Sequence, residues 1–75
     1  MPPLPVVSGK EVVAAFERAG WATSRREGSH IILTKPHTPV VLSIPDHREV
    51  KRGTLRSQVR KAGLTVDEFI SFLRR

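Results

Sequence analysis

The stretch WATSRREGSHIILTKPHTPVVLSIP, residues 21–45, decides the fold class because it encodes three strands joined by short turns. The pattern predicts strands over residues 21–25, 29–35 and 40–44, with a tight turn at Glu27-Gly28. Pro36 and Pro39 break the chain between the second and third strands, since two closely spaced prolines do not fit a central strand. Connections this short favour an antiparallel meander.

A helix is predicted immediately before this stretch. Ser8 and Glu11 have the spacing of a capping box, in which each side chain accepts a hydrogen bond from the other residue's backbone. Apolar residues then recur at helical spacing at Val12, Phe16 and Ala19. Gly20 is a typical C-terminal stop, and we expect Trp21 to fill the core rather than to stack on nucleic-acid bases.

Two more helices are predicted after the strands. The first has an apolar stripe and ends at Gly63; its stripe consists of Leu55, Val59 and Ala62. The second begins with another capping box, Thr65 and Glu68, and continues with Val66, Phe69, Ile70 and Leu73. The predicted order α-β-β-β-α-α indicates an α+β two-layer sandwich, with helices on one face of a three-stranded antiparallel sheet.

Length and composition exclude several functional classes. A chain of 75 residues has room for one small domain, which we assign to residues 8–75 after an extended leader at residues 1–7. The absence of cysteine excludes a disulfide scaffold, a thiolate zinc site and a thiol nucleophile. No signal-peptide pattern and no transmembrane-length apolar run occurs, so we expect a cytoplasmic protein without a membrane partner.

The net charge of +6 is concentrated in one part of the chain. Between Arg25 and Lys61 lie nine basic and three acidic residues, which accounts for the whole excess. A concentrated positive field attracts polyanions and raises their encounter rate, which favours a nucleic-acid partner. The alternative interpretation is a solvated face that only keeps the protein soluble.

The second predicted helix carries a basic ridge. Arg52, Arg56 and Arg60 are spaced four residues apart, so they project from one side of the helix, opposite the apolar stripe. No glutamate within the helix is placed to pair with them, and such ridges grip phosphates without reading sequence. An ordinary solvated helix face remains the alternative.

His30 is the candidate for proton-transfer chemistry. It stands where the turn meets the second strand, and strand alternation places it on the face opposite Ile31 and Leu33, together with Ile32. Imidazole exchanges protons close to neutral pH, which suits deprotonation of a ribose 2′-OH that attacks the adjacent phosphate. A merely structural or exposed histidine is the alternative. His37 and His47 have no metal-ligand spacing with His30, so no metal site is predicted.

Three segments of the chain together resemble a known family. They are the end of the first helix, Arg18-Ala19-Gly20-Trp21; the segment Arg26-Glu27-Gly28-Ser29-His30; and Ile44-Pro45-Asp46-His47, followed by Gly53-Thr54-Leu55-Arg56 and Ala62-Gly63-Leu64. In this order and at this separation they resemble the HicA (YcfA-like) toxins of HicAB toxin–antitoxin modules. The resemblance covers residues 8–73.

The resemblance implies a double-stranded-RNA-binding-like fold, α-β-β-β-α with an additional α. It implies the toxin of a type II toxin–antitoxin module, an endoribonuclease (an mRNA interferase) that cleaves mRNA and is neutralised by a HicB-type antitoxin. The family's catalytic histidine falls on His30, and His47 matches a second histidine position with a possible auxiliary role. No metal and no small-molecule cofactor is expected.

We therefore expect metal-independent RNA cleavage, with His30 as general base or general acid. Arg25, Arg26 or Lys35 would stabilise the negative charge that develops on the phosphorane. The expected RNA-binding residues are Arg25, Arg26, Ser29, Lys35, Arg52, Arg56, Arg60 and Lys61. Two alternatives stay open: a non-catalytic RNA-binding module of the same fold, and an interaction protein whose basic face meets an acidic partner.

Overall fold

The computed structural model describes residues 3–75 and confirms the predicted α+β architecture. The elements are α1 (Gly9–Arg18), β1 (Ala22–Glu27), β2 (His30–Thr34), β3 (Leu42–Pro45), α2 (Arg52–Lys61) and α3 (Val66–Leu73). The strands form one antiparallel sheet in the order β1-β2-β3, so the chain runs through it as a meander. Met1 and Pro2 of the predicted leader lie outside the described residues.

The strand boundaries differ from the sequence prediction. The first turn is Gly28-Ser29 rather than Glu27-Gly28, and β1 therefore extends to Glu27, which pairs with His30. Gly28 has a φ of 60° while Ser29 does not have a positive φ, which is the pattern of a type II′ hairpin turn with glycine at its first central position. β3 begins at Leu42, two residues later than predicted.

One face of the sheet packs on the helices and forms the core. Its buried members from the strands are Leu33, Leu42 and Ile44, and those from the helices are Val12, Ala15, Phe16, Leu55, Val59, Val66 and Phe69. Phe16 lies at the centre, with its ring centroid 5.2 Å from that of Phe69 and 6.5 Å from that of Trp21. Trp21 is buried, which confirms the prediction that it is a core residue.

The segment before α1 is also part of the core. Leu4 and Val7 are buried, although the proline-containing leader predicted only an extended chain. The Val7 carbonyl accepts a hydrogen bond from the Val50 amide at 2.8 Å, so this segment is joined to the chain that leads into α2. The Gly9 amide donates to the His47 carbonyl at 2.9 Å, which seats the start of α1 against the end of β3.

One edge of the sheet is covered by a helix and the other is exposed. On β3, the outward-facing amide of Ser43 donates to the Gln58 side-chain oxygen at 3.0 Å, so α2 lies along this edge. Pro45 fits the same edge because its missing N–H removes no bond of the ladder. β1 forms the other edge, and all six of its residues are exposed. The hairpin of β1 and β2 therefore presents its polar side chains to solvent.

Candidate functional site

His30 is the first residue of β2 and is exposed, as the sequence predicts. It pairs with Glu27 on β1 and with Pro45 on β3. Since facing residues in an antiparallel sheet share a face, and neighbours along a strand alternate, His30 projects opposite to Ile31 and Ile44. Its imidazole is therefore on the face of the sheet that the helices leave open.

The open face around His30 combines one cation, one carboxylate and an apolar centre. Arg25 and Glu27 share this face, and the Arg25 Nε lies 2.6 Å from a Glu27 carboxylate oxygen, with both side chains more than half exposed. Ile32 also projects to this side, yet it is only 5% exposed. It lies on the middle strand between its cross-strand partners Arg25 and Ser43, which flank it on both sides.

Arg26 projects to the other face, the one that packs on the helices, because it pairs with Ile31. There its Nη2 donates to the Asp46 carboxylate at 2.7 Å. This hydrogen bond is the main reason that the pKa of Asp46 lies below its ordinary value; desolvation opposes it, and the charge of Arg26 and the nearby Lys10 and His47 lower the pKa by smaller amounts. The side chains of Arg25 and Arg26, which are neighbours on β1, thus project from opposite faces of the sheet.

Asp46 links the hairpin turn to the second candidate histidine. Its amide donates to the Ser29 carbonyl at 2.7 Å, so His30 and His47 each lie one residue from this bond. His47 is exposed and lines a shallow groove of about 320 Å³ with Ser8, Lys10, Asp46 and Arg48. The structure therefore brings Ser29, His30 and His47 to the same end of the sheet.

The groove contains two cations that sequence reasoning did not select, Lys10 and Arg48. Lys10 lies in the first turn of α1, and Arg48 follows β3. They line one groove because the Gly9 amide binds the His47 carbonyl at 2.9 Å. No pattern in the sequence connects positions so far apart, although the capping box at Ser8 does place Lys10 at the start of a helix.

Lys35 does not belong to this end of the sheet. It follows the last residue of β2, five positions after His30, which corresponds to about 16 Å along an extended strand. Its Nζ lies 5.9 Å from the centroid of the Trp21 ring, so its position is explained by a cation–π contact with a core residue.

The basic ridge on α2 is present and exposed. Leu55 and Val59 face the core, while the cationic side chains point to solvent; they are Arg52, Arg56, Arg60 and Lys61. Within residues 3–75 none of these four takes part in an ion pair. α2 also begins without a side-chain cap, at Lys51, and has no acidic residue in its first turn. The positive end of the helix dipole thus coincides with two cations.

Neither a cluster of metal ligands nor a membrane-spanning helix occurs in the described part of the chain. Residues 3–75 contain no group of three histidine or carboxylate side chains placed to hold a metal ion. No helix among them is both long enough and apolar enough to cross a membrane.

Comparison with known families gives the class of protein to which this arrangement belongs. The sequence model of the HicA toxin of bacterial toxin–antitoxin systems matches residues 9–64, which is most of the chain. The chain therefore belongs to the HicA toxin family. This confirms the resemblance inferred from the sequence; members of this family are in general ribonuclease toxins with an antitoxin partner. A search of curated protein sequences found no significant match.

Proposed function

We propose that this protein is the toxin of a type II toxin–antitoxin module, a metal-independent endoribonuclease that cleaves mRNA in the cytoplasm and is inhibited by a HicB-type antitoxin. The observation that carries the proposal is the exposed imidazole of His30 on the open face of the sheet, beside Arg25. Family membership supports the same activity, and the net charge of +6 suits a polyanionic substrate.

His30 would act by proton transfer. As general base it accepts the proton of a ribose 2′-OH while the 2′ oxygen attacks the adjacent phosphorus. The bond from phosphorus to the 5′ oxygen then breaks, and that oxygen receives a proton from the imidazolium or from water. One positioned acid–base group contributes about 10²–10⁴-fold to such a rate, so we expect a slow enzyme. His47 would supply an auxiliary proton-transfer group from the same end of the sheet.

Arg25 is the best candidate to stabilise the phosphorane. Of Arg25, Arg26 and Lys35, only Arg25 shares the face of His30. It lies two positions before Glu27, which is the cross-strand partner of His30. Its present partner is the exposed Glu27 carboxylate, which a phosphate oxygen can replace because exposed ion pairs contribute little free energy. Arg26 is bound to Asp46 on the other face, and Lys35 lies over Trp21.

The remaining cations would hold the RNA strand. The α2 ridge has no ion-pair partner among the described residues, so binding a phosphate there breaks no existing interaction. Its contacts would be made to the backbone, which gives affinity without sequence selection. Ser29, at the exposed turn beside His30, would add a hydroxyl contact near the scissile phosphate. Lys61 would extend the ridge by one cation.

The test compares His30→Ala with His37→Asn in an RNA cleavage assay with purified protein. His37 is also exposed, and asparagine tolerates its φ of 62°, so the second variant controls for loss of a surface imidazole. We expect His30→Ala to retain RNA binding and to lose cleavage by about 10²-fold or more. Activity should persist in EDTA. Cleavage by His30→Ala at the wild-type rate would contradict the assignment.

A gel-shift measurement on the same samples separates the competing class. If the wild-type protein shifts RNA but never cuts it, the chain is a non-catalytic RNA-binding module of the same fold. If it does neither and binds only an acidic partner protein, the basic face is an interaction surface. Growth arrest on induction of the wild type, absent with His30→Ala and relieved by a co-expressed HicB-type antitoxin, would support the full proposal.

A further inference from the structure

Among residues 3–75, Asp46 is the only carboxylate bonded to the hairpin from outside it, and its two hydrogen bonds reach the hairpin that carries His30. We propose that Asp46 is a positioning residue for the cleavage reaction: it clamps the Gly28-Ser29 turn and thereby fixes the backbone of His30. The inference rests on the proposed function. Asp46 lies in one of the segments that carry the family resemblance, but the sequence analysis gave it no role.

The clamp consists of two contacts that hold two parts of the hairpin. The Asp46 carboxylate accepts from Arg26 on β1 at 2.7 Å, and its amide donates to the Ser29 carbonyl in the turn at 2.7 Å. The carboxyl side chain is only 17% exposed, whereas that of Arg26 is 56% exposed. The Arg26 guanidinium also holds the pKa of Asp46 below its ordinary value, which favours the charged carboxylate.

The amide contact forms the last rung between β2 and β3. The register pairs Ile31 with Ile44 and His30 with Pro45, so the next pair toward the turn is Ser29 with Asp46. His30 and Pro45 form a pair without ladder hydrogen bonds, because only alternate pairs of an antiparallel ladder exchange them. At this end of the sheet, the bond from Asp46 to Ser29 is therefore the attachment of the turn to β3, and His30 lies directly after Ser29.

Asp46 acts through the backbone rather than by contact with the imidazole. The ion pair lies on the helix-packed face, since Arg26 pairs with Ile31, whereas His30 projects from the open face. An ion pair with one half-exposed partner contributes little to global stability. Misplacement of a reacting group by about 1 Å, in contrast, can cost about 10²-fold in rate. The clamp should therefore affect catalysis much more than folding.

A different role for the same pair predicts a different effect on kcat. If Arg26 is an RNA-binding residue that Asp46 holds back, then Asp46→Asn frees a cation, removes a negative charge and tightens RNA binding while kcat is kept. If Asp46 positions His30, the same substitution lowers kcat while KM stays within about twofold or falls, since removing a negative charge cannot weaken attraction to RNA. A lower KM fits both roles, so the loss of kcat distinguishes them.

The experiment measures kcat and KM for a short RNA with the full chain, comparing Asp46→Asn with Glu17→Gln. Both variants remove one carboxylate charge, but Glu17 is an exposed residue of α1 that forms no ion pair among residues 3–75. We expect Asp46→Asn to lose kcat by about tenfold to 10²-fold, and Glu17→Gln to keep the wild-type kcat. Equal kcat values for wild type and Asp46→Asn would overturn the inference.

A charge exchange adds a rescue test. In the double variant Arg26→Asp with Asp46→Arg the ion pair can form again, and the amide bond to Ser29 is retained. We expect its kcat to exceed that of Arg26→Asp alone by about tenfold; a double variant no better than the single one would contradict the clamp. Failure of the proposed function has a different signature: the wild type then cuts no faster than His30→Ala.

Discussion

α2 and α3 follow each other in the chain and both bury apolar residues in the core, yet their ends differ. α3 begins at a capping box, in which the Thr65 side chain accepts from the Glu68 amide and the Glu68 carboxylate accepts from the Thr65 amide. Its first turn is acidic, which suits the helix dipole. α2 begins at Lys51 with no side-chain cap and no acidic residue in its first turn.

The difference concerns how the start of each helix is stabilised by its own residues. The capping box of α3 satisfies two of its N-terminal amides, and the capping box of α1 at Ser8 does the same. α2 instead places Lys51 and Arg52 at its positive end, where an anion would be stabilising and a cation is not. Local rules are commonly broken where function requires it. Under the proposed function, an RNA phosphate would supply the charge that α2 lacks.

The comparison requires that both helices matter equally for the core. Phe69 of α3 and Leu55 of α2 are both fully buried. We expect Phe69→Ala to cost about 3–5 kcal/mol and Leu55→Ala about 2–5 kcal/mol in free energy of unfolding. Because a domain of this size has only about 3–5 kcal/mol of stability, either variant should be largely unfolded. Urea unfolding followed by circular dichroism checks this.

A small loss of stability in only one of the two variants would contradict the statement that both helices matter equally for the core. If Leu55→Ala loses less than about 1 kcal/mol while Phe69→Ala unfolds the chain, α2 is only docked on the surface and its electrostatics need no functional explanation.

The next prediction concerns the charges of the two helices. Arg56→Gln with Arg60→Gln removes two cations from the ridge of α2, and Arg74→Gln with Arg75→Gln removes two from the end of α3. In a His30→Ala background, which cannot cut RNA, we expect the first pair to weaken binding of single-stranded RNA. The slope of log K against log salt should fall by about 1.4 in magnitude, or 0.7 for each lost phosphate contact.

The α3 pair is the control for net charge. Fluorescence anisotropy at several salt concentrations should show little change in slope for Arg74→Gln with Arg75→Gln. Equal losses for the two pairs would mean that RNA responds to the total charge of the protein and not to the ridge on α2.

The features that sequence predicts well here are local ones. Both capping boxes and the glycine stops act within four residues, so the starts of α1 and α3 and the ends of α1 and α2 follow from residue types alone. Strand alternation placed His30 on the open face for the same reason. The sequence placed the turn one residue too early because Glu27-Gly28 and Gly28-Ser29 are both acceptable turn pairs. Only the pairing of Glu27 with His30 selects Gly28-Ser29.

The features that sequence did not predict depend on distant contacts. Arg26 and Asp46 are separated by 20 positions, and nothing in either neighbourhood indicates that they meet. The burial of Leu4 and Val7 is similar, since a leader with prolines has the composition of an exposed segment. Two adjacent residues of the same type also differ in position. Arg25 and Arg26 project from opposite faces of the sheet because side chains alternate along β1.

A smaller effect is expected from the cap of α3. Thr65→Ala removes the side-chain oxygen that accepts from the Glu68 amide at 3.1 Å. Loss of such a cap costs about 1 kcal/mol of stability. The matched variant in α2 is Thr54→Ala, which removes an exposed threonine from a first turn where no side-chain cap is made. Thermal unfolding should separate them; equal midpoints would show that the capping box of α3 contributes nothing.

The smallest effect comes from giving α2 the cap that it lacks. The backbone of Lys51 is non-helical, with φ −59° and ψ 138°, and a small adjustment toward the φ −83° and ψ 163° of Thr65 would let Lys51→Ser accept from a first-turn amide. We expect a gain of about 0.5 kcal/mol in free energy of unfolding, together with weaker RNA binding. Stability and binding should thus move in opposite directions at this residue, whereas Thr65→Ala changes stability alone. If Lys51→Ser stabilises the protein and leaves RNA affinity unchanged, the uncapped start of α2 has no part in binding phosphate.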